Sequence, residues 1–450
     1  MKIKDILFWI TLSVIYIFIA FYNGYPLLTS DSGAYINNAY EIYLSDHSLT
    51  YSFFLRIFSA QFSLWLPVLV QGGLLTFLTY RISKVLLPAT MFSNKTLLFI
   101  IGTTSAFTSV SWYCSQLMPD IFTAILILSV ILFFLDALKY NSILYFALIF
   151  AALMMHNSNL VILFLFSAIL VPYTYWKAKS YFKKSISLAA LSICSLIYSA
   201  GLNGVTGHGF VISTSTHVFL MGKLCENGVL KTYLDDQCAH HNYQICAYKD
   251  QLPNAAWDFV WNAESPLNKM GGWEQTKPEY SAILKDLLLS PRYYFMLFYK
   301  SIEHTIRQMI QIQVGDGLLV LRENSNPFWK IQQHYNHEMP EYMRSLQNEA
   351  KLPFNSFNLV YWLFIVISML LVVYLMHQHK LPLEFKYVYL MVLTFFILNA
   401  FVTANLANVL ARLSSRVVWL IPLINIIYIT YSFLDGKTKM NSLNQADDPG

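Results

Sequence analysis

The side chains best suited to chemistry lie near the ends of long apolar runs. Asp31 follows the first run in "SDSGAY", and Asp120 opens a later run in "MPDIF". Arg412 and Arg416 are four residues apart, so they share one face of any helix that contains them. Carboxylates beside guanidinium groups, whose planar forks fit phosphate oxygens, predict chemistry on a lipid phosphate at the membrane surface.

Each of these residues also has a plain structural interpretation. Asp31 follows Thr29 and Ser30 and could cap a short helix over 34–44, whereas its functional role would be that of a general base. Asp120 stands after Pro119 at a helix start, where the helix dipole favours a negative charge. Its functional role would be to orient an acceptor or to hold a divalent metal. The two arginines could simply reach lipid headgroups.

Further polar residues are candidates for substrate binding. The segment 203–224 combines glycines, two histidines and a lysine directly after an apolar run. Glycines at this density allow a backbone to approach a ligand closely, but they are equally common in surface loops. The candidates are Tyr35, His156, His208, His217 and Lys223.

The cysteines suggest an oxidising compartment for part of the chain. Cys238 and Cys246 enclose a short loop, which predicts a disulfide and leaves Cys225 without a partner in the same segment. The competing interpretation is a zinc site that includes His240 and His241. Their spacing fits no standard zinc pattern.

Composition identifies an integral membrane protein. Of the 450 residues, 56% are hydrophobic and only 12% are charged, half the charged fraction of ordinary soluble domains. Scanning for runs long enough to cross a bilayer predicts about ten spans. They cover 6–23, 62–82, 96–114, 120–138, 141–156, 158–176, 185–202, 355–376, 387–407 and 413–434.

Positive charge sets the predicted orientation. Lys and Arg accumulate at alternate ends of the runs, whereas the opposite short loops carry only Arg56, Arg412 and Arg416. Because cytoplasmic loops are the positively charged ones, both termini are predicted to be cytoplasmic. Asp31 and the long segment 203–354 would then face outward.

The runs predict four regions. Residues 1–202 form an N-terminal transmembrane module of about seven helices, with a catalytic first outer loop at 24–60. Residues 203–354 form an extracytoplasmic domain of mixed composition, with an amphipathic helix near 290–314 that lies on the outer leaflet or re-enters the membrane. Residues 355–435 form a C-terminal module of three helices, and 436–450 are predicted to be a disordered cytoplasmic tail.

Two functional classes are disfavoured. Apart from Asp136, which lies near a helix end, no predicted span carries an acidic residue near its midplane, where ion-coupled transporters bind their coupling ion. The net charge is +5, but the Lys and Arg residues form no continuous basic stripe, so nucleic acid is not an expected partner. A uniporter remains open.

The same residues carry a resemblance to a known family. "SDSGAY" with Asp31 and Tyr35, "MPDIF" with Asp120 and "SSRVVWLIPL" with Arg416 resemble the GT-C-type glycosyltransferases. The resemblance is architectural and covers the helical core, about two-thirds of the chain. It implies an all-α polytopic membrane enzyme that takes a sugar from a polyprenyl-phosphate donor. It also implies Asp31 as the catalytic base, and Arg416 with Arg412 as the donor phosphate site.

The expected partners follow from that resemblance. They are a polyprenyl-phosphate sugar, a glycan, lipid or protein acceptor, and the membrane itself; the sequence specifies no cofactor, and a divalent metal remains open. The absence of Asn-x-Ser/Thr from 203–354 favours a bacterial inner membrane. The alternatives are another outer-face lipid-modifying transferase that uses His156, His208 or His217, a lipid flippase or uniporter, and an assembly protein.

Overall fold

The protein is built from helices. The computed structural model describes residues 3–41, 47–136, 139–205, 209–378 and 381–446, without the side chains of 139–140 and 435–446. Throughout these ranges no residue belongs to a β-strand, and only an isolated parallel bridge joins Leu27 to Gln116. The all-helical class follows from the sequence, since strand-like alternation is rare in so apolar a chain.

The helices, numbered in chain order, fall into three groups. The first are α1 Ile3–Tyr16, α2 Phe18–Asn23, α3 Ser32–Tyr40, α4 Leu49–Ser59, α5 Trp65–Leu86, α6 Asn94–Phe107, α7 Val110–Cys114, α8 Ile121–Leu135, α9 Lys139–Met155 and α10 Asn157–Lys177. Next come α11 Phe182–Val205, α12 Thr216–Glu226, α13 Val229–Gln237, α14 Ala256–Trp261, α15 Pro266–Lys269, α16 Gly272–Leu289 and α17 Tyr294–Ile310. The last are α18 Asn326–His334, α19 Met339–Arg344, α20 Phe354–His377, α21 Leu383–Leu406, α22 Ala411–Val418 and α23 Leu420–Ala446.

Five helical stretches of the described residues are long and apolar enough to cross a membrane, judged by length and composition. They are Asn157–Lys177, Lys179–Val205, Phe354–His377, Leu383–Leu406 and Ala411–Leu434. Two shorter apolar helices, Ile121–Leu135 and Asn141–Met155, fall within the predicted spans 120–138 and 141–156. The described residues are therefore helical, and their apolar helices are consistent with a membrane protein, while the count of ten spans and the topology stay predictions.

Contacts divide the chain into two compact units. The first unit contains Met1–Ser195, Ile312–Phe396 and Ser415–Gly450, and the second contains Leu196–Gln311 with Ile397–Ser414. The helix α23 continues to Ala446, through most of the segment predicted to be a disordered tail. The domain boundaries drawn from the sequence stay predictions beside this division by contacts.

The centre of the first unit is α8. Every residue from Ile121 to Phe134 is buried, because this helix is apolar on all sides. At its end, Asp136 pairs with Arg81 and accepts a hydrogen bond from Tyr145 at 2.7 Å. The ammonium of Lys184 donates to the Phe133 carbonyl at 2.8 Å and so covers an end of α8 that has no partner within the helix.

The second unit has its own apolar core. Helices α12, α13, α14 and α16 contribute buried residues to it, among them Met221, Tyr233, Phe259 and Tyr280. A disulfide joins Cys238 to Cys246 at the edge of this core. The second unit therefore combines a buried apolar cluster with a covalent link between two of its segments.

Candidate functional site

The two loops that carry Asp31 and Asp120 lie side by side in the first unit. Leu27 donates its backbone N–H to the Ser115 carbonyl, and Leu117 donates to the Leu27 carbonyl, each at 2.9 Å. The Thr29 hydroxyl contacts the Met118 sulfur at 3.1 Å. Because this contact is two residues from each aspartate, the fold places Asp31 and Asp120 on neighbouring segments, although they are far apart in sequence.

A third segment of the first unit, residues 327–347, contacts the loop that carries Asp31. The Gln347 side chain forms two hydrogen bonds with the Leu28 backbone, at 3.1 and 2.6 Å. The Tyr25 hydroxyl donates to Glu338 at 2.6 Å. A Cβ on Gly33 would lie 2.7 Å from the Pro327 nitrogen, so α3 and α18 can approach closely only with glycine there. These buried contacts fix the backbone that presents Asp31.

Asp31 is the accessible carboxylate of the pair. It precedes α3 and its side chain is 33% exposed, with the His47 ring 3.8 Å away. Within the described residues, its carboxylate makes no capping bond to the first turn of α3. The sequence left a cap and a general base as alternatives, and the observed exposure suits a group that exchanges protons with a substrate.

Asp120 is the buried carboxylate of the pair. It lies at the start of α8, and in the described structure its side chain caps no backbone amide of that helix. Instead it accepts a hydrogen bond from Nη1 of Arg416 at 2.9 Å, in a pair whose side chains are 2% and 0% exposed. A buried carboxylate of this kind requires a matching positive charge, which the arginine supplies.

The same arginine binds two further residues. Its Nη1 donates to Nε2 of His156 at 3.0 Å, and its Nη2 donates to the Ser158 hydroxyl at 3.0 Å. Nδ1 of His156 lies 2.9 Å from that hydroxyl. Since Nε2 accepts from a guanidinium, His156 is neutral in this arrangement. We call these four residues, Asp120, His156, Ser158 and Arg416, the arginine network.

Local packing fixes Arg416. The Ser109 hydroxyl donates to the Ser415 carbonyl at 2.6 Å. The Tyr361 hydroxyl in turn donates to the Ser109 hydroxyl at 2.9 Å. Trp419, which is fully buried, donates its ring N–H to the Arg416 carbonyl at 2.9 Å. A long flexible side chain is thereby held in one orientation, which lowers the entropic cost of each bond it makes.

Aromatic rings connect Asp31 with the arginine network. The Tyr35 ring packs edge-on against His47 and against Tyr51, with 5.0 Å between centroids in both cases. Burial, and then the nearby Tyr35 and the charge of Asp120, hold the pKa of Tyr51 well above its usual value. The Tyr51 hydroxyl donates to Gln71 at 3.0 Å. Tyr35 and Tyr51 therefore lie between the exposed and the buried carboxylate.

The arrangement can support proton transfer beside a fixed positive charge. An exposed carboxylate can take a proton from a hydroxyl group, and a guanidinium can stabilise a developing phosphate charge. No group of three or more His, Cys, Asp or Glu with metal-binding geometry occurs among the residues that the structure describes. A metal role for Asp120 therefore stays a prediction.

The remaining candidates belong to the second unit or fall outside the described residues. His217 belongs to the second unit, where its Nε2 lies 2.9 Å from the Trp273 carbonyl and its side chain is buried. Arg412 also belongs to that unit, so its pairing with Arg416 at a phosphate stays a prediction. His208 lies outside the described residues.

Lys223 lies inside the second unit. Its ammonium donates to Nδ1 of His304 at 2.7 Å and to Glu226 at 3.1 Å. Burial lowers the pKa of Lys223, although Glu226 opposes that shift. Burial, followed by the charge of Lys223, also lowers the pKa of His304. Glu226, Glu303 and Arg307 are the other charges that act on this histidine.

The lowered pKa of His304 predicts an acid-sensitive second unit. The unfolded chain binds a proton near pH 6.5, whereas the folded chain resists it, so stability falls as pH falls below that value. The decrease approaches about 1.4 kcal/mol per pH unit for one proton. Unfolding measured between pH 7.5 and 5 should show a smaller pH dependence in His304→Gln than in the native chain. Equal pH dependence in both proteins would contradict this assignment.

Sequence reasoning missed several residues that build the site. Gln71 is a fully buried amide whose Nε2 donates to the carbonyls of Cys114 and Gln116, each at 3.0 Å. Ser158 and Gln347 likewise position backbone and side chains. A lone amide inside an apolar run was the available signal for Gln71, because such a group must find partners when buried. Gln347 gave no comparable signal.

No protein-family model matches this chain, and neither the curated proteins nor the solved structures contain a match to it.

Proposed function

We propose that this protein is a membrane glycosyltransferase of GT-C type. It would move a sugar from a polyprenyl-phosphate donor to an acceptor hydroxyl on the extracytoplasmic face of the cell membrane. The proposal includes about ten spans with both termini in the cytoplasm, which follows from the charge pattern. It places Asp31 at the outer water–lipid boundary, where the headgroup of a lipid-linked donor would lie.

One observation carries the proposal. An exposed carboxylate, Asp31, stands on a loop that is bonded to the Asp120 loop, and Asp120 is itself paired with a buried arginine, Arg416. A base and a guanidinium in one compact unit are the two groups that displacement of a sugar from a phosphate requires. Buried hydrogen bonds hold the Arg416 side chain and the backbone at Leu28, three residues before Asp31.

The chemistry assigns each group one role. Asp31 takes the proton of the acceptor hydroxyl while the oxygen of that hydroxyl bonds to the anomeric carbon. The bond between that carbon and the phosphate oxygen breaks, and the polyprenyl phosphate leaves with the electron pair. Because the donor is anchored in the bilayer and the base is fixed, much of the entropic barrier is met by binding.

The role of Arg416 carries a specific requirement. Its Nη atoms already bind Asp120, His156 and Ser158, and its side chain is fully buried. A donor phosphate would therefore have to displace the Ser158 hydroxyl or share the guanidinium with Asp120. Displacement of the Ser158 hydroxyl is the more favourable of the two, because Asp120 then stays paired with Arg416 and its charge remains compensated.

Identification of the bound lipid tests the proposal. Protein purified in mild detergent should retain a polyprenyl phosphate or its sugar derivative, which mass spectrometry of the extracted lipids would identify. The Asp31→Asn variant should retain the same lipid, because it loses the base and keeps the arginine. Phospholipids alone in both preparations would contradict the proposal and favour a transferase of another kind or a flippase.

A further inference from the structure

The helix α17, Tyr294–Ile310 in the second unit, has its apolar face uncovered. Residues that recur every three or four positions are exposed by 45 to 81%: Phe295, Phe298, Ile302, Ile306 and Ile310. Residues on the opposite side are buried and polar, namely His304, Thr305 and Gln308. A helix on the surface of a soluble domain shows the reverse pattern.

The buried face of α17 is bonded to the end of a candidate membrane span. Gln308 donates to the Leu410 carbonyl at 2.7 Å and to the Ser414 hydroxyl at 2.8 Å. Asn405 donates to the Thr305 hydroxyl at 3.3 Å. Asn405 belongs to Leu383–Leu406, which is long and apolar enough to cross a bilayer. These bonds place α17 at the depth where that span ends.

The uncovered face continues an apolar surface of the same unit. Ile397 and Phe401, on the part of that span that belongs to this unit, are 47% and 42% exposed. In α11, another candidate span, Ile197 and Tyr198 are each 56% exposed. The outer surfaces of membrane-spanning helices are covered by lipid. The apolar face of α17 continues such a surface, so lipid can cover it as well.

The charges of α17 suit an interfacial position. Glu303 lies 2.9 Å from the Lys300 ammonium and 2.5 Å from Arg307, so the acidic group is compensated by two basic ones. Basic side chains beside an apolar face are typical of helices that lie in the membrane plane, where ammonium and guanidinium groups reach lipid phosphates. The helix is absent from the stretches of the described chain that could cross a membrane.

We propose that the face of α17 formed by Phe295, Phe298, Ile302, Ile306 and Ile310 is a lipid-binding surface, immersed in the outer leaflet between headgroups and acyl chains. The helix lies parallel to the membrane and fastens the second unit to the bilayer. This proposal is independent of any glycosyl transfer. The sequence left open whether this helix lies on the membrane surface or re-enters the membrane, and the proposal selects the first of these.

Nitroxide labelling tests this surface. Single cysteines replace Phe298 and Ile302 in a Cys194→Ser background, since Cys194 is the exposed free cysteine among those described. The labelled chains are placed in bilayers of phosphatidylethanolamine and phosphatidylglycerol. Accessibility to oxygen, which partitions into lipid, should exceed accessibility to a water-soluble nickel chelate several-fold at both positions.

A matched control uses an exposed acidic residue of the same unit. The side chain of Glu264 is 80% exposed, so a label at Glu264→Cys should be more accessible to nickel than to oxygen. Nickel accessibility at Phe298 and Ile302 equal to that at Glu264 would overturn the proposal. Spectral broadening that disappears on dilution with unlabelled chain would also overturn it, because a second copy of the protein would then cover this face. Phe298 and Ile302 are both exposed, so their replacement by cysteine is expected to leave the fold intact.

Discussion

Replacement of Asp31 by Asn should lower sugar transfer about 10²- to 10⁴-fold, the usual contribution of a general base. Asn keeps the size of the side chain and removes its basicity. The Asp31 side chain is one-third exposed and makes no cap for α3 in the described structure, so stability should change little. The measurement is single-turnover transfer from a polyprenyl-phosphate sugar by purified enzyme, together with its thermal unfolding.

The control is a carboxylate of the same unit outside the site. Glu349 is paired with Lys351 at 2.7 Å, so Glu349→Gln makes the same change of charge without touching Asp31. If the protein transfers sugar as proposed, Glu349→Gln should transfer it as fast as the native protein. Unchanged transfer by Asp31→Asn would remove this residue from the mechanism. A loss of transfer in Asp31→Asn that is accompanied by a lower unfolding temperature would assign Asp31 a structural role.

The helices themselves were largely predictable. The run 355–376 corresponds to Phe354–His377, and 158–176 corresponds to Asn157–Lys177. Hydropathy identifies such helices because each residue contributes its own transfer free energy regardless of its distant neighbours. The run 6–23 instead forms two helices, Ile3–Tyr16 and Phe18–Asn23. A break of this kind depends on tertiary contacts, which composition does not record.

The site was predictable as residue types and not as a geometry. Asp120, His156 and Arg416 were each candidates, but Arg416 is 296 positions from Asp120 and 260 from His156. Their pairing is set by how helices pack. Ser158 and Gln347 are uncharged, and nothing in their local sequence distinguishes them from ordinary loop residues. Their roles become visible only once the partners that they bind are brought to them.

A double-mutant cycle on Asp120 and Arg416 should reveal a strongly coupled pair. Each single change, Asp120→Asn or Arg416→Gln, should lower the free energy of unfolding by about 3–5 kcal/mol, because it leaves an uncompensated buried charge. The double variant should cost less than the sum of the two, since neither charge then remains. The measurement is unfolding in detergent, with Lys231→Gln as the control. Lys231 pairs with Asp235 on the surface, where ion pairs contribute little.

The same variants separate the two roles of Arg416. The donor phosphate is expected to displace the Ser158 hydroxyl from Arg416 and not Asp120, so Asp120→Asn should destabilise the protein while it retains at least as much polyprenyl phosphate as the native chain. Arg416→Gln should lose both stability and lipid. If lipid retention in Asp120→Asn falls together with stability, the arginine network only supports the fold. Purely additive costs in the cycle would mean that the 2.9 Å contact between Asp120 and Arg416 contributes no coupling at all.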